Sequence, residues 1–135
     1  MKKQILAIDD SKAIRFLLQT VLGKDYTVVT APDGCSAMYY LSKRNLPDLI
    51  ITDAQLPDMQ DWELIEQLTT SGIYRDIPVM VISSIEKAQV EAKCQEFGVA
   101  QYFTKPFNPV DLIKAVDQVI NNNSKLAPAY VAHAS

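Results

Sequence analysis

Short apolar runs alternate with longer amphipathic segments along the whole chain. The runs carry apolar residues at consecutive positions, which is typical of parallel strands that are covered on both faces. They are Ile5–Ile8, Tyr26–Thr30, Leu49–Thr52, Val79–Ile82 and Tyr102–Thr104. The intervening segments carry apolar residues at helical spacing, and the pattern therefore predicts five strands alternating with five helices.

Local signals indicate where the helices lie. Ser11 is a plausible N-cap for a first helix, and Pro109 suits the first turn of the fifth. The second helix is predicted from about Ala37 to Lys43, the third around Trp62–Leu68, and a polar fourth over Glu86–Phe97. This alternation predicts an α/β domain with a parallel sheet and right-handed crossovers. We expect one domain over residues 1–121 and a tail without its own fold over 122–135.

Composition narrows the function classes. The net charge of -3 comes without a Lys/Arg block, so we expect no nucleic-acid binding by simple electrostatics. No apolar stretch approaches the ~20 residues needed to cross a bilayer, and the N-terminus does not have the pattern of a signal peptide. Cys35 and Cys94 lack metal-ligand spacing and are expected to be reduced. These features predict a soluble, cytoplasmic protein without a membrane partner.

Charged and hydroxyl side chains follow four of the five predicted strands. Asp9 and Asp10 follow the first strand and Asp53 the third, while Ser83 and Lys105 follow the fourth and fifth. Because the carboxyl ends of parallel strands meet at one edge of the sheet, these side chains are expected to converge there. Each acid alone is equally consistent with a helix cap or a turn, whereas Ser83 alone is more typical of a turn and Lys105 alone of a solvated surface charge. Their convergence is what indicates a site.

Three neighbouring carboxylates repel one another, and a hard divalent cation such as Mg²⁺ relieves that repulsion. Phosphoryl transfer needs an oxygen nucleophile, a metal and fixed donors for the transferred group. We therefore predict Asp53 as the nucleophile, Asp10 as a direct metal ligand and Asp9 as the holder of a metal-bound water. Lys105 and the Ser83 hydroxyl are predicted to contact the phosphoryl oxygens.

The set Asp9-Asp10, Asp53 followed by Pro57, Ser83 and Lys105-Pro106-Phe107 resembles the response-regulator receiver domains of two-component signalling over about residues 4–120. The resemblance implies a flavodoxin-like sheet of order 2-1-3-4-5. It also implies Mg²⁺-dependent phosphotransfer to Asp53 from a histidine kinase or a histidine phosphotransfer protein, with Mn²⁺ able to substitute. The metal ligands would be Asp9, Asp10, Asp53 and the backbone carbonyl of Gln55, and the Lys105–Pro106 peptide would be cis.

The family's switch also has counterparts in this sequence. By resemblance, Ser83 moves towards the phosphoryl group, Tyr102 follows, and the face of the fourth helix, fifth strand and fifth helix changes for an effector protein. Four positions depart from the family pattern or border its site. Asp61 replaces a usual glycine and would tolerate a positive φ, Ser84 stands where Ala or Gly is commoner, and Gln55 and Ile85 flank the path of the attacking water.

Two other functions compete with a stand-alone phosphoacceptor switch. An aspartate-nucleophile phosphatase needs a second acid two residues after its nucleophile, but Ser11 holds that position after Asp9, and no insertion could form a cap. The chain is therefore not expected to be an enzyme acting on an external substrate. A receiver-like interaction scaffold that is never phosphorylated remains the alternative. The segment after the domain is too short for a DNA-binding domain, so the output is expected to be a protein contact.

Overall fold

The computed structural model describes residues 2–122, which form five strands and five helices in strict alternation. The elements are β1 (Gln4–Ile8), α1 (Lys12–Leu22), β2 (Thr27–Ala31), α2 (Gly34–Ser42), β3 (Leu49–Thr52), α3 (Glu63–Thr70), β4 (Val79–Ser83), α4 (Lys87–Phe97), β5 (Gln101–Thr104) and α5 (Pro109–Asn122). The predicted tail, residues 122–135, lies outside the described residues except for Asn122. The division into domain and tail stays a prediction.

The strands form one parallel sheet in the order β2-β1-β3-β4-β5, which confirms the predicted fold. Ile8 pairs with Thr52, so Asp9 and Asp53 follow paired positions on neighbouring strands. Ser83 pairs with Thr104 in the same way, and the next amide, that of Lys105, donates to the Ser83 carbonyl at 2.8 Å. The register therefore brings the predicted site residues to one edge of the sheet.

Alternate residues of each central strand enter two separate apolar cores. On one face, Leu6 and Ile8 pack with buried residues of α2, α3 and α4. On the other face, Ile5 and Ala7 pack with buried residues of α1 and α5. Both faces of β1 are thus covered, as consecutive apolar residues predict. The chain crosses to opposite faces of the sheet after β1 and β3, and this is where open α/β sheets place their ligands.

Two predicted helix starts are confirmed, and the predicted start of the second helix is wrong. Ser11 caps α1 by accepting from the Ile14 amide at 3.2 Å, and α5 begins at Pro109. Helix α2, however, begins at Gly34 rather than near Ala37. Its N-cap is Asp33, whose carboxylate accepts from the Ser36 amide at 2.7 Å and so starts the helix earlier.

The residue with positive φ near the third helix is Trp62, not Asp61. Trp62 has a φ of 69° and directly precedes α3 instead of lying within it. A left-handed conformation costs a bulky residue about 1–2 kcal/mol. The Trp62 amide donates to the Ala54 carbonyl at 2.8 Å, and its buried indole stacks on Phe97 with ring centroids 6.3 Å apart. These contacts offset the strain.

Three smaller predictions can also be compared with the structure. The Lys105–Pro106 peptide is cis, as the family resemblance implies. Cys35 is exposed on α2 and Cys94 is buried in α4, and the two form no disulfide. Within residues 2–122, no helix combines the length and apolar character that a bilayer span requires.

Candidate functional site

An acidic cluster lies at the carboxyl ends of β1 and β3. Asp9, Asp10 and Asp53 each contribute a carboxylate oxygen, and these oxygens lie within 4.8 Å of one another. Asp9 and Asp53 are buried, with exposed fractions of 2% and 7%, whereas Asp10 is exposed. The sheet register therefore holds two acids in the protein and leaves the third facing solvent.

Lys105 joins the two buried acids. Its Nζ lies 2.9 Å from Asp9 Oδ2 and 2.8 Å from Asp53 Oδ2. Burial alone would lower the pKa of Lys105, but its hydrogen bonds to Asp53 and Asp9 outweigh burial and raise that pKa. Burial raises the pKa of Asp9, and the contacts with Lys105 and the Ser11 amide offset the rise only in part. The two acids therefore share one cation, which does not fully offset the effect of burial on Asp9.

Backbone donors hold the remaining oxygens of the buried acids. The Ser11 amide donates to Asp9 Oδ1 and the Gln55 amide to Asp53 Oδ1, both at 2.9 Å. Each buried carboxylate thus binds one amide and the Lys105 ammonium. The Gln55 side chain points to a different partner, because its Nε2 donates to Asp61 Oδ2 at 3.3 Å. The loop between β3 and α3, residues 53–62, is called the acceptor loop here, and it is anchored directly on Asp53.

Ser83 and Tyr102 lie beside this cluster on β4 and β5. Ser83 is fully buried, and its Oγ accepts from the Ile85 amide at 3.4 Å. Tyr102 is 6% exposed and donates its hydroxyl to the Ile85 carbonyl. Burial raises the pKa of the Tyr102 phenol, and the Ser83 hydroxyl partly offsets the rise. The predicted switch pair is thus in mutual contact, and no hydrogen bond joins Ser83 to Asp53 within the described range.

Two residues outside the predicted set support the site. Asp58 lies in the acceptor loop and accepts from the Gly34 and Cys35 amides at 2.9 and 2.7 Å, which lowers its pKa. A carboxylate is favoured there because the first amides of a helix lack internal partners. Arg15 of α1 donates from Nη1 to the Asp9 carbonyl at 2.7 Å.

A sequence signal for Arg15 was available. It lies three and seven residues before the buried Leu18 and Leu22, so its side chain starts from the inward face of α1. An arginine at that position is unusual enough to indicate a buried polar partner. Asp58 gave no comparable signal, since an acid in a loop is most often a turn residue.

The donor set fits a hard divalent cation. All the side-chain donors of the cluster are carboxylate oxygens, the ligand type that Mg²⁺ prefers. Asp10 is exposed and lies within reach of both buried acids. Burial raises the pKa of Asp9 even beside Lys105, and a further cation nearby would favour its ionised form.

Comparison with known proteins agrees with the family resemblance that the sequence motifs indicate. Residues 5–117 match the family model described as the response regulator receiver domain. The chain is 35% identical over 125 residues to the transcriptional regulatory protein KdpE of Staphylococcus aureus, covering 93% of this chain and 52% of that protein. It is 30% identical over 118 residues to the sensor histidine kinase TmoS of Ectopseudomonas mendocina, covering 87% of this chain and 12% of the kinase. The chain thus spans about half the length of the regulator and a small part of the kinase.

Solved structures show the same fold. A chemotaxis response regulator of Vibrio cholerae superposes with a TM-score of 0.79 at 28% identity, covering 88% of this chain and 99% of that one. A putative response regulator from Chloroflexus aurantiacus superposes with a TM-score of 0.81 at 26% identity, covering 90% and 99%.

Proposed function

The chain belongs to the response regulator receiver domain family of two-component systems, and on that premise we propose that it is a switch that accepts a phosphoryl group on Asp53. One observation carries the proposal. Lys105 joins the buried carboxylates of Asp9 and Asp53, and the exposed carboxylate of Asp10 lies beside them. Phosphoryl transfer requires a nucleophile, a cation beside it and an acid that can bind a metal. Here these are the buried Asp53, the ammonium of Lys105 and the exposed Asp10.

Asp53 supplies the nucleophile. One of its carboxylate oxygens forms a bond to phosphorus while the bond between phosphorus and the donor's imidazole nitrogen breaks, and that nitrogen keeps the bonding electron pair. The donor is a phosphohistidine on a histidine kinase or a histidine phosphotransfer protein. Lys105 stays protonated, since its pKa is raised, and its ammonium contacts the phosphoryl oxygens together with the Ser83 hydroxyl. The product is an acyl phosphate on Asp53.

The metal site uses the same acids. Asp10, Asp53 and the Gln55 carbonyl would hold Mg²⁺ or Mn²⁺, with Asp9 acting through a bound water. When bound, the cation supplies positive charge that lets an anionic phosphoryl group approach three carboxylates. Within this arrangement, Asp9 accepts from the Ser11 amide through Oδ1 and holds the Lys105 ammonium through Oδ2.

The output is a change in protein contacts. Ser83 and Tyr102 contact each other and Ile85 at the start of the loop before α4. A Ser83 hydroxyl drawn towards the phosphoryl group would release its contacts there and shift the population of conformations of the α4-β5-α5 face. An effector protein in the cytoplasm reads that face, and neither nucleic acid nor membrane is a partner.

The test is the intact mass of the protein after incubation with acetyl phosphate and Mg²⁺. The native chain should gain one phosphoryl group only when the metal is present, and Asp53→Asn should gain none. Asp25→Asn serves as the matched control, because Asp25 is exposed and precedes β2 at the opposite end of the sheet. Absence of the increment in the native chain, alongside a receiver that is labelled, would favour a scaffold that is never phosphorylated.

A further inference from the structure

Arg15 makes one hydrogen bond whose position is informative. Its Nη1 donates to the carbonyl oxygen of Asp9 at 2.7 Å; Asp9 is buried and Arg15 is half-buried. Within residues 2–122, no carboxylate lies within 4.0 Å of the Arg15 guanidinium, so this arginine does not serve an ion pair there. Its guanidinium instead binds a backbone carbonyl of the acidic cluster.

That carbonyl belongs to the peptide plane that links Asp9 to Asp10. The peptide unit is rigid, so a donor on the Asp9 oxygen also fixes the Asp10 nitrogen and the position of its Cα. The preceding peptide is fixed as well, because the Asp9 amide donates to the Ala31 carbonyl at 3.1 Å. Beyond this plane, the backbone enters α1 through the Ser11 cap.

Asp10 depends on this plane more than its neighbours do. Asp9 and Asp53 have both carboxylate oxygens engaged, by an amide and by Lys105. The Asp10 carboxylate is exposed, and no hydrogen bond or ion pair holds it among the described residues. Its backbone fixes the direction of the Cα–Cβ bond, from which two side-chain torsions lead to the carboxylate.

We propose that Arg15 is a positioning residue for the metal site: it fixes the Asp9–Asp10 peptide and so directs the Asp10 carboxylate towards the cation. The inference rests on the proposed function, since it assigns Arg15 a part in the same site. Arginine suits this position because it binds a carbonyl without engaging the carboxylates that the metal needs. Its positive charge also reduces the repulsion among the three acids.

The experiment compares Arg15→Met with the matched control Lys12→Met. Both residues lie in the first turns of α1, both changes remove one positive charge, and Met has a helix propensity close to that of Arg and Lys. Lys12 is exposed and makes no contact with the site. Binding is measured with Mn²⁺ alone, from the electron paramagnetic resonance signal of the free ion, and folding by urea denaturation.

We expect Arg15→Met to weaken Mn²⁺ binding about tenfold, the lower end of the effect of removing a partner that orients a metal ligand. Lys12→Met should stay within about twofold of the native affinity, because an exposed charge is screened by solvent. Arg15→Lys, which can still donate to the carbonyl, should recover most of the loss. At limiting Mg²⁺, acetyl phosphate should label Arg15→Met more slowly than the native chain, and raising the Mg²⁺ concentration should narrow that difference, since Asp53 and Lys105 are unchanged.

Equal Mn²⁺ affinity in Arg15→Met and the native chain would overturn the proposal, even if the variant were less stable. Equal losses in Arg15→Met and Lys12→Met would also overturn it, because charge alone would then explain them. Should Arg15→Met fail to fold, Arg15→Gln and Arg15→Lys replace it in the comparison. A native chain that binds Mn²⁺ but is never labelled would refute phosphorylation, while the affinities would still decide the role of Arg15.

Discussion

Replacing Lys105 with methionine measures how far the acidic cluster lowers the free energy of unfolding when its lysine is absent. The change keeps an unbranched side chain that is one atom shorter, and it removes the cation that, among residues 2–122, contacts both Asp9 and Asp53. Two buried carboxylates would then face each other without a neutralising partner. We expect a clear loss of stability in the absence of metal, together with loss of phosphorylation.

The magnitude follows from the geometry. Removing one partner of a buried ion pair costs about 3–5 kcal/mol. The Lys105 side chain is 20% exposed, and each carboxylate keeps its backbone amide donor, so solvent and those amides reduce the loss. We therefore expect the free energy of unfolding to fall by about 2–3 kcal/mol at neutral pH, which corresponds to about 1–2 M in the urea midpoint.

The loss should depend on pH with a defined sign. Burial raises the pKa of Asp9 above its ordinary value of 3.8, so folded Asp9 holds its proton to a higher pH than unfolded Asp9 does. A raised carboxyl pKa means that stability falls as pH rises through the interval above that value. Without Lys105 this pKa should rise further, so the stability of Lys105→Met should fall more steeply with pH than that of the native chain.

The assay is urea denaturation at several pH values, with and without Mg²⁺, using Lys114→Met as a control on the exposed surface of α5. Mg²⁺ should restore much of the stability of Lys105→Met, because it supplies charge to the same acids. An unchanged urea midpoint, or a shift equal to that of Lys114→Met, would refute the reasoning. Stability that rises with pH in the variant would refute the assigned role of Asp9.

Three further outcomes are expected. Asp58→Asn should lower the melting temperature while phosphorylation persists, because the helix-capping bonds of Asp58 lie outside the acidic cluster. Circular dichroism measures the melting temperature and intact mass measures the phosphorylation, and loss of labelling would contradict the prediction. Phe97→Leu should cost about 1 kcal/mol and shift the fluorescence of Trp62, its stacking partner, so an unchanged emission spectrum would rule out the contact in solution. Tyr102→Phe should cost about 1 kcal/mol through the lost bond to the Ile85 carbonyl, and equal urea midpoints would count against that bond.

Local patterns determined much of this protein. Consecutive apolar residues marked the strands, because only strands covered on both faces tolerate such runs, and the residue after each strand had to lie at the same edge of the sheet. Asp9, Asp10, Asp53, Ser83 and Lys105 could therefore be grouped without coordinates. The strand order came from the resemblance that these residues carry, since periodicity alone does not order strands.

Tertiary structure decided what depends on contacts between distant segments. The pairing of Ile8 with Thr52 and of Ser83 with Thr104 sets which acids Lys105 reaches, and no local pattern contains that register. Trp62 takes the left-handed conformation because its ring stacks on α4. Arg15 acts on the Asp9 carbonyl because α1 packs back against the end of β1. Side chains and backbone groups brought together only by folding carry no joint signal in the sequence. The convergence of the acids and Lys105 was therefore predictable, while the contacts of Arg15 and Asp58 that support them were not.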